Sequence, residues 1–121
     1  MPLSDFFTYR ILQQDHVSVN ALVTIDANHE LYKGHFPGQP VTPGVALIEI
    51  LRQLLSKTLS KEIMLTGAKE IKYLTPVLPN ETSEIEYQIN YTESEGAFSV
   101  NCVISQGEKI FTKIKGEFRE Q

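Results

Sequence analysis

The chain has 121 residues, a formal charge of -4 and a single cysteine, which is the size of one domain with a modest core that a second copy would help to cover. Acidic and basic residues are interspersed without a Lys/Arg cluster, which argues against nucleic-acid binding, and the lone Cys102 excludes an internal disulfide. No window approaches the roughly eighteen apolar residues of a membrane span, and no basic segment leads into an apolar run at the N-terminus, so a cytoplasmic protein without leader or membrane insertion is expected.

In chain order, Met1–Asp5 is a lead-in, and Phe6–Leu12 is apolar enough for either a strand or a short helix. A turn at Gln13–His16 precedes Val17, Val19, Ala21, Val23 and Ile25, which alternate with Ser18, Asn20, Leu22 and Thr24. That period of two predicts a strand with one buried face. Asp26–Lys33 is a polar connection. From Gly34 to Gly44, three prolines and three glycines stand within eleven residues. Proline restricts φ and glycine admits positive φ, so such a loop has a specific path. It ends in a helix-start signal, with Thr42 as N-cap and Pro43 at the first helical position.

The spacing predicts a helix over residues 43–57. Val45, Leu47, Ile48, Ile50, Leu51, Leu54 and Leu55 cover most of its circumference, as in a helix wrapped by other structure. Glu49, Arg52, Gln53, Ser56 and Lys57 form a narrow polar stripe. After a turn at Thr58–Glu62 come strands at Ile63–Tyr73, Glu84–Tyr91, Phe98–Ile104 and Ile110–Phe118, joined by turns at Ser94–Gly96 and Gln106–Glu108. Short polar turns between consecutive strands describe an antiparallel meander. The predicted fold class is α+β: one domain over 1–121, a long central helix wrapped by a curled antiparallel sheet of about five or six strands.

Three features offer chemistry. His35 stands at the start of the rigid loop, where a general base would be well supported; the alternative is a loop histidine that caps a carbonyl or packs on Phe36. Glu49 is either a solvent carboxylate paired with Arg52 or, if the stripe faces a cleft or partner, a desolvated acid with a raised pKa, oriented by Gln53 four residues on. The helix start at Gly44 and Val45 presents backbone amides to an oxygen that gains negative charge, or simply to water. His16 and His29 are isolated, no ligand spacing suggests a metal, and Cys102 reads as a small core side chain.

The run Gly34–His35–Phe36–Pro37–Gly38–Gln39–Pro40–Val41–Thr42–Pro43–Gly44–Val45, followed by Glu49 and Gln53, closely resembles the signature of the β-hydroxyacyl–acyl-carrier-protein dehydratases, enzymes of the hot-dog fold. Lys72–Asn80 is a second, weaker match. The resemblance implies a hot-dog domain and a homodimer with shared active sites, or a higher oligomer. In it, His35 of one subunit faces Glu49 of the other across an acyl tunnel, with Gly34, Phe36, Pro37, Pro40 and Pro43 shaping the loop.

The implied reaction is dehydration of a 3-hydroxyacyl thioester, carried on the phosphopantetheine of acyl carrier protein, to the trans-2-enoyl thioester. His35 takes the C2 proton, protonated Glu49 serves the departing hydroxyl, and Gly44 with Val45 holds the carbonyl; no metal or other cofactor is implied. Ile50 and Arg52 stand where the family carries small residues, so a narrowed or redirected tunnel is expected, and Leu74–Thr75 stands where it carries a basic pair, so altered carrier-protein docking is expected. Arg52, Lys57, Lys69 and Lys72 are the expected docking patch for an acidic carrier protein. Acyl-thioester hydrolysis, and a non-catalytic acyl-binding or partner subunit, are the alternatives.

Overall fold

The computed structural model describes residues 6–29, 32 and 41–121. Two strands, β1 (Phe7–Gln14) and β2 (Ser18–Ile25), precede the helix α1 (Gly44–Leu59). Four more follow it: β3 (Ile63–Tyr73), β4 (Glu84–Ser94), β5 (Ala97–Gln106) and β6 (Lys109–Glu120). They form one antiparallel sheet in the order β1-β2-β4-β5-β6-β3, so β1 and β3 are its edges. The α+β arrangement and the meander β4-β5-β6 are as expected, and the undecided N-terminal segment is a strand.

Alternation builds the core. Val19, Ala21, Val23 and Ile25 of β2, Ile85, Tyr87 and Ile89 of β4, and Phe98, Val100, Cys102 and Ile104 of β5 are all buried, because every second side chain points to the same face. Turn chemistry sets the registers. Asp15 accepts from the amides of Val17 at 2.9 Å and Ser18 at 2.8 Å to close β1-β2. Glu95 and Gly96 have φ of 51° and 80°, the paired positive values of the two-residue hairpin turn that joins β4 to β5. Ser94 thus belongs to β4 and not to the turn.

Bulges supply the curl. Register shifts lie between Leu65 and Gly67 and between Ala68 and Glu70 of β3, which explains the imperfect alternation of that strand. A Cβ on Gly116 would come within 3.0 Å of the Gly67 carbonyl, so β6 needs a glycine where the bulged edge crosses it. A further shift opposite Ile104 and Ser105 leaves Phe111 and Thr112 of β6 both buried, against the simple period of two.

The helix buries Ala46, Leu47, Ile50, Leu51, Leu54 and Leu55 against the concave face of the sheet. Tyr87 is wholly buried and its hydroxyl donates to the Leu47 carbonyl at 2.9 Å, which fixes the rotation of the helix over the sheet. The wrapping is less complete than the apolar pattern suggests: Val45 is 73% exposed. The helix also begins and ends later than expected. Pro43 is the N-cap and makes no side-chain cap, and the last turn runs on to Leu59 before Ser60, at φ 55°, closes it. The expected Thr42 cap fails because that residue is committed elsewhere. Its hydroxyl meets the Tyr32 hydroxyl at 2.8 Å, and its amide donates to the Val77 carbonyl at 2.9 Å.

Candidate active site

The start of α1 borders a groove of about 470 Å³ walled by Val41, Pro43, Val45, Leu47, Leu74 and Pro76, with Thr42, Gly44, Tyr73, Thr75, Val77 and Thr112 completing it. Its two banks are tied together by the Thr42–Val77 bond, while the amides of Leu74 and Thr75 both donate to the Phe111 carbonyl, at 2.8 and 3.1 Å. The Pro43 carbonyl receives the amides of Ala46 and Leu47. Gly44 and Val45 thus stand at the turn whose own amides have no carbonyl behind them within the helix, where the dipole favours an oxygen bearing negative charge. Tyr73 lies over this spot: a Cβ on Gly44 would fall 2.2 Å from its hydroxyl oxygen.

Glu49 stands five residues on, about 7.5 Å along the helix axis. Its Oε1 receives Arg52 Nε at 2.7 Å, and its Oε2 receives Arg52 Nη2 and Gln53 Nε2, both at 2.8 Å. Gln53, four residues on, thus hydrogen-bonds the carboxyl. Within this chain Glu49 is the carboxylate paired with Arg52, one of its two readings; the raised pKa of the other belongs to a stripe covered by a cleft or partner. The hydrogen bonds from Arg52 hold the Glu49 carboxyl below its ordinary range, and partial burial opposes them without prevailing. Arg52 is held charged by the same pair. Glu49 is a paired carboxylate on a half-open stripe with Arg52, Gln53 and Ser56.

His35, Gly34, Phe36, Pro37 and Pro40 lie outside the described residues. Ile50 is wholly buried in the core, so its bulk supports the helix and is not presented on the polar stripe. Of the expected docking residues, Arg52 and Lys57 line one groove, and Lys69 and Lys72 lie on β3. Arg52 is committed to Glu49, and Lys72 pairs with Glu70 at 3.7 Å. Arg52, Gln53 and Lys57 line, with Lys61 and Glu62, a polar groove of about 440 Å³ separate from the one at the helix start. His29 packs edge-on to Phe6, with ring centroids 5.3 Å apart, and burial pushes the Cys102 thiol well up. Among the described residues no group of three His, Cys, Asp or Glu side chains is placed to hold a metal ion, and no helix is long and apolar enough to cross a membrane.

Two residues of the groove were not anticipated. Tyr73 ends a predicted strand inside the second family-like segment, and that position was the available signal. Thr112 was marked only by a hydroxyl falling in the buried phase of β6.

A single helix laid in a curled six-stranded antiparallel sheet, with an apolar groove at the helix start, is the hot-dog fold. Structural relatives agree. The dehydratase heterocomplex ApeI:P from Xenorhabdus doucetiae superposes with a TM-score of 0.71 at 18% identity, over 93% of this chain and 99% of that one. A hypothetical thioesterase with coenzyme A from Streptococcus pneumoniae TIGR4 gives 0.68 at 12% identity, over 94% and 86%.

The family model described as ApeI dehydratase, ApeI-like, matches residues 11–113, and the chain belongs to this dehydratase family. By sequence it is 32% identical to the 3-hydroxyacyl-[acyl-carrier-protein] dehydratase FabZ of Caulobacter sp. (strain K31), over 78% of this chain and 63% of that protein. It is 30% identical to FabZ of Chlamydia trachomatis serovar L2, over 83% and 75%. The chain thus spans a little less than two thirds of the Caulobacter relative.

Proposed function

We propose that the protein eliminates water from a 3-hydroxyacyl thioester presented by acyl carrier protein, giving the trans-2-enoyl thioester. The observation that carries this reading is the helix itself. The amide edge of the helix start, on an apolar groove, and a hydrogen-bonded carboxyl follow one another on α1 of a chain that belongs to a dehydratase family. The groove suits a thioester-bearing acyl chain, and the Gly44 and Val45 amides suit the carbonyl oxygen as C2 loses its proton. His35 of one copy is the base for that proton. Glu49 of the other copy delivers a proton to the 3-hydroxyl, which leaves as water.

The step moves two protons and one carbon–oxygen bond and transfers no net electrons, so it calls for no redox cofactor. Glu49 acts as the acid only when Arg52 loosens its hold. Burial of the stripe under a second copy's helix, with the substrate hydroxyl competing for the carboxyl, acts in that direction. Dimerisation is supported by the half-open stripe, by the edge position of β3, and by the exposed Val45, Met64, Tyr73 and Leu74 beside them. Among the described residues Lys57 and Lys69 make no ion pair, and they are the cations proposed to meet an acidic carrier protein.

The test is incubation of the purified protein with 3-hydroxybutyryl- and longer 3-hydroxyacyl-carrier proteins while conjugated enoyl thioester is followed. Enoyl product with no free thiol is expected. One observation favours a second reading: an ionised Glu49 suits activation of water and hence thioester hydrolysis. Free thiol without enoyl product would establish that reading and reject the elimination.

A further inference from the structure

Thr112 is 1% exposed, yet its hydroxyl oxygen has no hydrogen-bond partner among the described residues. A buried hydroxyl without a partner forfeits the hydrogen bonds it makes in water, so its retention calls for a reason. Its position offers one. The bulge of β6 that buries Phe111 and Thr112 together sets Thr112 into the lining of the groove at the helix start, which Gly44 and Leu47 also line. The other groove residues are largely apolar, so a ligand lying there meets few fixed polar points. These are the amide edge at Gly44 and Val45 and the hydroxyls of Tyr73, Thr75 and Thr112, of which Thr112 is the buried one without a partner. The Thr42 hydroxyl is already taken by Tyr32.

We propose that the Thr112 hydroxyl is a substrate-binding group that hydrogen-bonds a polar atom of the acyl-thioester chain lying in this groove. The inference rests on the thioester reading of the site and not on which reaction follows. A hydroxyl both donates and accepts, so its partner is either the substrate's 3-hydroxyl or a carbonyl or amide of the thioester-bearing arm. Thr112 positions the chain and moves no proton. Unlike a residue kept for packing, it leaves the free protein no better folded than an apolar isostere would.

The test measures binding by calorimetry, using butyryl- and 3-hydroxybutyryl-pantetheine analogues in which an amide replaces the thioester, so that hydrolysis is blocked and elimination suppressed. Thr112→Val keeps the shape and removes the hydroxyl, and Thr112→Ser keeps the hydroxyl. Thr112→Val is expected to weaken binding about three- to tenfold, the measure of one neutral hydrogen bond. Its melting temperature should be equal to or above that of the parent, and Thr112→Ser should bind within about twofold of it. Loss confined to the hydroxybutyryl analogue assigns the bond to the 3-hydroxyl, and equal loss with both assigns it to the arm; either result supports the proposal.

Parental affinity in Thr112→Val overturns it, as does equal loss in the Val and Ser variants, or failure of the parent to bind either analogue. Turnover of 3-hydroxybutyryl-carrier protein, measured separately, decides the dehydratase reading. Binding lost in Thr112→Val by a protein that yields no enoyl product would reject the reaction and leave Thr112 in place.

Discussion

Gly44→Ala separates the chemistry of the helix start from its stability. The added Cβ would lie 2.2 Å from the Tyr73 hydroxyl oxygen and 2.5 Å from its ring carbon Cζ, so the ring has to retreat. Ordinary contact requires a shift of roughly 1.3 Å. Tyr73 is 57% exposed, and the shift is inexpensive. Gly44 does not have positive φ, so alanine fits the backbone, and its better helix propensity offsets the displacement by up to about 1 kcal/mol. The melting temperature should therefore stay within about 4 °C of the parent. Activity should not. The methyl group and the displaced ring occupy the approach to the amides, and loss of one such donor costs about 100-fold in turnover, near 2.7 kcal/mol. Initial rates of enoyl formation, with thermal melts on the same samples, measure both quantities. Adding Tyr73→Ala to Gly44→Ala tells whether the ring or the methyl group blocks the site. A stable Gly44→Ala protein with parental turnover would refute the assignment of these amides to the thioester oxygen.

Arg52→Gln frees Glu49 from the partner that holds its carboxyl low, so the Glu49 pKa should rise. If Glu49 is the acid, the alkaline limb of the pH profile of kcat/KM moves to higher pH; movement of the acidic limb would make Glu49 a base and favour hydrolysis. The same pair bears on folding. A depressed carboxyl contributes stability above its ordinary range that is lost as pH falls through the folded value, so the penalty of Arg52→Gln, about 0.3–0.5 kcal/mol, should vanish in acid melts. Tyr87→Phe removes the bond that anchors Leu47 and should lower the melting temperature by about 4 °C for about 1 kcal/mol; an unchanged value would show that this bond does not hold the helix. Cys102, buried and with its thiol pushed up, should react with a thiol reagent only as fast as the chain opens. Rapid labelling of the folded protein would contradict its place in the core.

Most of the sheet was legible because its signals are local. Alternation from Val19 to Ile25 and from Phe98 to Ile104 declares a face by itself, and Glu95–Gly96 and Gly107 mark the turns. β3 and β6 were harder to read, since bulges break the period and depend on which strand lies alongside. The helix was visible from its apolar positions, but its cap was not. Thr42 has the right chemistry for a cap and is drawn away by Tyr32 and Val77, partners ten and thirty-five residues distant in the chain. The pairing of Glu49 with Gln53 was readable from i,i+4 spacing, whereas the balance between burial and Arg52 that sets its charge depends on side-chain geometry. Tyr73 over Gly44 and Thr112 in the groove come from tertiary placement, with only a strand end and a misplaced hydroxyl to hint at them.

Mixing His35→Ala with Glu49→Gln protein, after unfolding and refolding together, tests most directly whether one site is built from two copies. Each variant alone should be nearly inactive. Random pairing makes half of the dimers mixed, each with one intact site of two, so the mixture should recover about a quarter of the parental rate of enoyl formation. Recovery near that value is the predicted result. No recovery in a mixture shown to contain mixed dimers, or full activity in either variant alone, would contradict the shared site.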